Sequence, residues 1–100
     1  MLKGTIDLLI LRVLEEQDNY GYEISKTIKT KTKGKFEIQE ATLYLSLKRL
    51  EKQKAIASYW GDESNGGRRK YYKLTDSGSL LMQQSIKDWK ETVEIVESFI

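Results

Sequence analysis

EATLYLSLKRLEK, residues 40–52, places Leu43, Leu47 and Leu50 at i, i+4 and i+7, which is one apolar edge of a helix over Glu40 to Lys52. Thr42, Tyr44, Ser46, Lys48, Arg49 and Lys52 fall on its other faces. Downstream, Ile56 to Gly61 and Arg69 to Leu74 are short runs of β-forming residues separated by the polar loop Asp62 to Arg68. They predict a hairpin with a long basic tip. Because Asn65-Gly66-Gly67 precedes Arg68-Arg69-Lys70, glycine lets the backbone approach a partner closely while three consecutive cations supply charge.

Upstream of that helix, Ile6, Leu9, Ile10, Val13 and Leu14 form an apolar stripe at helical spacing and predict a first helix over Leu2 to Gln17. Asp18 or Asn19 is expected to cap a second, Tyr20 to Thr32, with Ile24 and Ile28 inward and Lys26, Lys29 and Lys33 toward solvent. After the hairpin, Thr75 is expected to cap a last helix with Asp76 in its first turn. Met82, Ile86, Trp89, Val93, Val96 and Ile100 then follow at alternating steps of four and three, a heptad seam running to residue 100. A helix of roughly 24 residues at about 1.5 Å each outreaches a small domain, so the seam is expected to pair with a second subunit.

One hundred residues suffice for one domain, and 39% apolar with 32% charged residues suits a folded globular chain. Without cysteine or histidine there is no disulfide, thiolate nucleophile, imidazole base or usual transition-metal ligand set; no cofactor is expected, and an enzyme is disfavoured. No apolar run approaches the roughly 20 residues that span a bilayer, and no signal-like segment opens the chain, so a cytoplasmic protein away from membranes is expected. The net charge of +2 is unevenly spread: residues 26–35 hold five lysines and no acid, residues 44–73 carry +5, and residues 1–25 and 74–100 carry −3 each. A basic centre between acidic ends suits a face that meets a polyanion.

Three helices and then a basic hairpin is the order of a winged helix-turn-helix, whose third helix enters the major groove while the wing reaches an adjacent groove or the backbone. The expected fold is mainly α with a small β-hairpin. Residues 1–75 form the DNA-binding part and residues 76–100 a C-terminal dimerisation helix, within one structural unit. Thr42, Tyr44 and Ser46 lie where base edges are approached, and Lys48, Arg49 and Lys52 where phosphates lie. Asn65, Gly66, Gly67, Arg68, Arg69 and Lys70 are the expected wing contacts. On residues alone, a winged-helix protein-interaction module gripping an acidic partner is the alternative.

The chain resembles the PadR-type bacterial transcriptional regulators at DNYGYEI (18–24), ATLY (41–44), LKRLEK (47–52), GGRRKYY (66–72) and Leu74-Thr75 with Gly78. Its length and single helix after the wing resemble the short subfamily, and residues 40–75 are similar to its multidrug-binding repressors. The resemblance implies a homodimeric repressor that binds an inverted repeat of double-stranded DNA, its C-terminal helices paired across the two-fold and docked on helix 1 of the partner subunit. It implies that Trp89 faces its symmetry mate across a cleft that takes planar aromatic or phenolic molecules, lined by Asp7, Leu8, Ser85, Ile86 and Val93. Two positions depart from the pattern: Leu45 stands where proline is common and Lys54 where glycine is common. If Lys54 is left-handed, the side chain costs roughly 1 kcal/mol.

Overall fold

The first helix is apolar over more than one face, and that sets the architecture. In the computed structural model, which describes residues 3–61 and 67–100, the elements are α1 (Lys3–Glu16), β1 (Asn19–Tyr20), α2 (Gly21–Lys31), α3 (Glu40–Lys52), β2 (Ile56–Trp60), β3 (Lys70–Leu74) and α4 (Asp76–Glu97). α1 packs against α2, α3, α4 and β3. Leu11, outside the predicted stripe, is therefore as buried as Ile10, whereas Leu9 is only partly covered. Ile24 and Ile28 of α2, Leu43, Leu47 and Leu50 of α3, Ala55 and Ile56, Tyr72 and Met82 complete one continuous core.

The predicted hairpin is part of a three-stranded antiparallel sheet in the order β1-β3-β2, with Tyr20 opposite Tyr71 and Ser58 opposite Tyr72. Two residues are too few to show the period-2 alternation of a strand, so β1 leaves no trace in the sequence pattern. Asn19 is not a helix cap: it is buried in the sheet, its Oδ1 accepting from the Tyr20 amide at 3.0 Å. The chain turns from β1 straight into α2 at Gly21, with Tyr20 extended at the N-cap and no side-chain cap there.

Left-handed residues end α2 and α3. After α2, Lys33 (φ 55°) and Gly34 (φ 78°) reverse the chain, and the Gly34 amide donates to the Lys29 carbonyl at 2.8 Å. After α3, Lys54 takes the left-handed conformation expected of the glycine it replaces (φ 64°), which lets the Ala55 amide donate to the Leu50 carbonyl at 3.0 Å. Thr75 joins this corner to the next helix. Its hydroxyl donates to the Lys54 carbonyl at 2.7 Å and accepts from the Gly78 amide at 2.9 Å, the expected cap of α4.

α4 divides its apolar positions between two environments. Met82 is 2% exposed in the chain's own core, which corrects its expected place in an intersubunit seam; Ile86 is half-buried against the same core. The cause is the corner at Thr75, which lays α4 against α1. Farther along, Ile95, Val96, Phe99 and Ile100 are exposed, the last two at 87% and 96%. Among the described residues, no helix is long and apolar enough to cross a membrane.

A Cβ on Gly78 would overlap the backbone carbonyl of Ala55. Alanine normally favours a helix over glycine by about 0.5–1 kcal/mol. Here Gly78→Ala should instead lower stability by about 1–3 kcal/mol, the usual cost of overpacking, measurable by urea denaturation.

Candidate nucleic-acid interface

The buried edge of α3 determines which of its side chains remain outside. With Leu43, Leu47 and Leu50 turned inward, Thr42, Tyr44, Leu45, Lys48 and Lys52 are exposed. Leu45, 64% exposed, shares a face with Thr42 and Lys48 through i, i+3 spacing. In the sequence it stands out only as a replacement for proline, although the same spacing places it among the candidate contacts, where an apolar side chain suits a thymine methyl. Tyr44 is oriented by its neighbour: its phenol lies over Gly21 at the start of α2, where any Cβ would collide with the ring.

Ser46 is a correction to the expected base-reading set. It is 3% exposed, because its position beside Leu43, Leu47 and Leu50 rotates it onto the buried edge. Arg49 is turned inward as well. Its Nη2 donates to Asp7 Oδ1 at 2.7 Å and its Nε to Asp7 Oδ2 at 3.2 Å, while Nη2 also donates to Ser46 Oγ at 3.0 Å. The Asp7 hydrogen bond raises the Arg49 guanidinium above its ordinary range, against the opposing effect of desolvation. Arg49 thus fastens α3 to α1 instead of facing phosphates, and Asp7 is occupied there instead of lining the expected ligand cleft. Both corrections have one cause: a contact between residues 42 positions apart exists only in the folded chain.

The wing's cations rest on aromatic faces. The Arg69 guanidinium lies 4.7 Å from the centroid of Tyr20, Arg68 lies 5.4 Å from that of Trp60, and the Lys70 ammonium lies 5.6 Å from that of Tyr72. Tyr71 joins the rings, stacked on Tyr59 at 5.8 Å and edge-on to Tyr20 at 5.5 Å. The Tyr59 hydroxyl donates to Asp18 at 2.6 Å, and this hydrogen bond, reinforced by desolvation, raises the phenol above its ordinary value. Lys70 also pairs with Glu51 of α3 at 3.7 Å, and Ser58 donates to the same carboxylate, so the wing is tied to the third helix. Gly67 is left-handed (φ 103°), the conformation for which glycine suits this turn. Asn65 and Gly66 lie outside the described residues.

The expected ligand cleft appears as two grooves flanking Trp89 between α1 and α4. One, about 310 Å³, is lined by Leu8, Ser85 and Trp89 with Thr5, Asp88 and Thr92; the other, about 540 Å³, by Leu8, Ile86 and Trp89 with Thr5, Arg12 and Lys90. Trp89 is 55% exposed between them. Leu8, Ser85, Ile86 and Trp89 are therefore brought together as expected. Val93 is half-buried but lines neither groove, and with Asp7 engaged elsewhere the polar groups come from Ser85 together with Thr5, Arg12, Asp88, Lys90 and Thr92.

Comparison with known proteins places this arrangement. Residues 10–84 match the transcriptional regulator PadR-like family, and the chain belongs to it. The family consists of transcriptional regulators, not enzymes. A solved transcriptional regulator from Clostridium thermocellum has a TM-score of 0.91 and 42% identity, covering 97% of this chain and 91% of that one. A PadR family transcription regulator from Clostridium difficile has a TM-score of 0.81 and 40% identity over 94% of this chain and 96% of its own. The transcriptional regulator YqjI of Escherichia coli is 31% identical over 97 residues, which are 97% of this chain but 43% of that protein.

The Asp7–Arg49 pair is partly buried, with 18% and 27% of the two side chains exposed. Asp7→Ala should therefore cost about 1–3 kcal/mol by stranding the guanidinium. For a domain of this size, each kcal/mol lowers the melting temperature by about 4–8 °C. Arg49→Ala added to Asp7→Ala should lower stability by less than the two single losses combined, which a double-mutant cycle of thermal melts measures.

Proposed function

We propose that the chain is a homodimeric DNA-binding repressor. α3 enters the major groove of each half of an inverted repeat, and the wing of each protomer grips the adjoining backbone. Residues 1–75 carry DNA binding and residues 76–100 carry dimerisation. The observation that carries this reading is the contiguity of two surfaces: the outward face of α3 with Thr42, Leu45, Lys48 and Lys52, and the wing with Arg68, Arg69 and Lys70, linked through Glu51. Thr42, Tyr44 and Leu45 read bases, while Lys48, Lys52 and the wing cations neutralise phosphates. Held over aromatic rings, Arg68 and Arg69 sacrifice less side-chain freedom on binding than free arginines.

Dimerisation is supported by the apolar end of α4. Trp89, Val96 and Ile100 of the heptad seam, with Ile95 and Phe99 beside them, are exposed, and Ile86 and Val93 are only half-covered. An apolar surface of that extent favours burial against another subunit. Two α4 helices meeting there would bring the Trp89 grooves toward the two-fold axis. The indole, Leu8 and Ile86 supply apolar surface for a planar aromatic ligand, and the few polar groups around them orient it.

In a salt titration of binding to duplex DNA, Lys48→Ala and Lys52→Ala should each lower the log-log slope by about 0.9 per protomer, while Thr42→Ala and Leu45→Ala should change the preferred sequence. Absence of any binding at low salt would sink the repressor reading. Val96→Glu with Ile100→Glu should give a monomer by sedimentation, because the seam would bury unpaired charges. In a Trp60→Phe background the remaining indole fluorescence reports Trp89 alone; a panel of planar aromatic dyes and phenolic acids should quench it with saturation. Unchanged fluorescence across the panel would leave Trp89 as a packing residue.

A further inference from the structure

The interface described above leaves one strong feature of the charge distribution unused. The five lysines of residues 26–35 are accompanied by no acid in that stretch, and α3 and the wing account for none of them. The fold sorts them by face. Lys31 points away from the others and pairs with Glu16 of α1 at 3.1 Å. Lys26 and Lys29, three residues apart on α2, and Lys33, brought back beside them by the left-handed turn, line a groove of about 540 Å³ together with Tyr22 and Ser25. Its far wall is Glu37 and Ile38, the segment that leads into α3.

This groove is continuous with the outward face of α3. Tyr22, Ser25 and Ile38 also line a smaller depression of about 180 Å³ whose other side is Glu40, Leu43 and Tyr44 at the start of α3. A surface therefore runs without a break from Tyr44 across the exposed ring of Tyr22 to Lys26, Lys29 and Lys33. We infer that this face of α2 is a second DNA-backbone contact, which grips phosphates flanking the segment that α3 occupies. The inference rests on the DNA-binding reading and extends the footprint of each protomer beyond helix and wing.

Charge and reach favour duplex backbone as the occupant. Lys26 and Lys29 stand about 4.5 Å apart along α2 at 1.5 Å per residue, and Lys33 follows in the turn beyond its end, a spacing on the order of the rise between neighbouring nucleotides on one strand. The acids nearby hold them loosely. Lys26 lies 3.9 Å from a half-buried Glu23, at the edge of ion-pair distance, Lys29 lies 3.4 Å from an exposed Glu37, and Lys33 has no ion-pair partner among the described residues. Surface pairs of this kind are weak and readily exchanged for phosphate. The placement also separates roles, since the α2 lysines touch no base edge and would add affinity without sequence preference.

The test is fluorescence anisotropy with a labelled mixed-sequence duplex of about four helical turns, or about 40 base pairs, titrated at a series of KCl concentrations. Lys26→Gln/Lys29→Gln/Lys33→Gln should lower the log-log salt slope by up to about 2.7 per protomer. A charge-matched variant off the groove, Lys31→Gln/Lys54→Gln/Lys87→Gln, should keep the wild-type slope, and circular dichroism should show both variants folded. If the groove variant keeps the wild-type slope, or both variants fall equally, while Lys48→Ala/Lys52→Ala still lowers it, the α2 contact is overturned and the repressor reading stands. If the wild-type chain binds no duplex at low salt, both fail together.

Discussion

Leu43, Leu47 and Leu50 hold one edge of α3 in the core, and the two-pronged Asp7–Arg49 bond closes the same helix onto α1. Together they set the rotation of α3 about its own axis. Since successive helical side chains are about 100° apart, that single angle decides the position of every other residue on the helix. It sends Ser46 inward and leaves Thr42, Leu45, Lys48 and Lys52 outside. The ion pair adds direction to an apolar contact that is otherwise tolerant of small rotations, because a guanidinium meets a carboxylate in one plane.

α1 makes this arrangement possible by serving three surfaces at once. Ile10, Leu11 and Leu14 fill the core, Asp7 anchors α3, and Leu8 forms a wall of both grooves beside Trp89. Asp7 and Leu8 are successive residues pointing to different partners. The proposed ligand cleft and the proposed DNA-reading helix therefore meet on adjacent positions of one rigid element, with no loop between them.

Around that centre, polar and aromatic contacts convert a thin core into a defined surface. Thr75 bonds the end of α3 to the start of α4, and Gly78 lets the two corners touch. On the sheet, the rings of Tyr20, Tyr71 and Tyr59 carry the wing, with Arg68 and Arg69 laid over aromatic faces. Cationic side chains are thus gathered on α2, α3 and the wing, while the acidic stretches lie at the two ends of the chain.

Much of this was legible in the residue pattern. Among the described residues, periodicity located the four helices and both long strands, the turn signals at Lys33-Gly34 and Thr75 fell where the chain turns, and the run of motifs from residue 18 to residue 78 pointed to the family. These features are local: each depends on residues within one or two helical turns, so sequence spacing alone determines them. The rest depended on partners distant in the chain. A two-residue strand exists only because β3 pairs with it. Arg49 is an anchor because Asp7 lies across the core, and Met82 is a core residue because the corner at Thr75 lays α4 over α1. The lysines of residues 26–35 were countable from the outset, but which of them share a groove was decided by the turn that brings Lys33 back along α2. Composition and spacing set what each segment becomes; long-range packing sets which of its side chains remain free to bind.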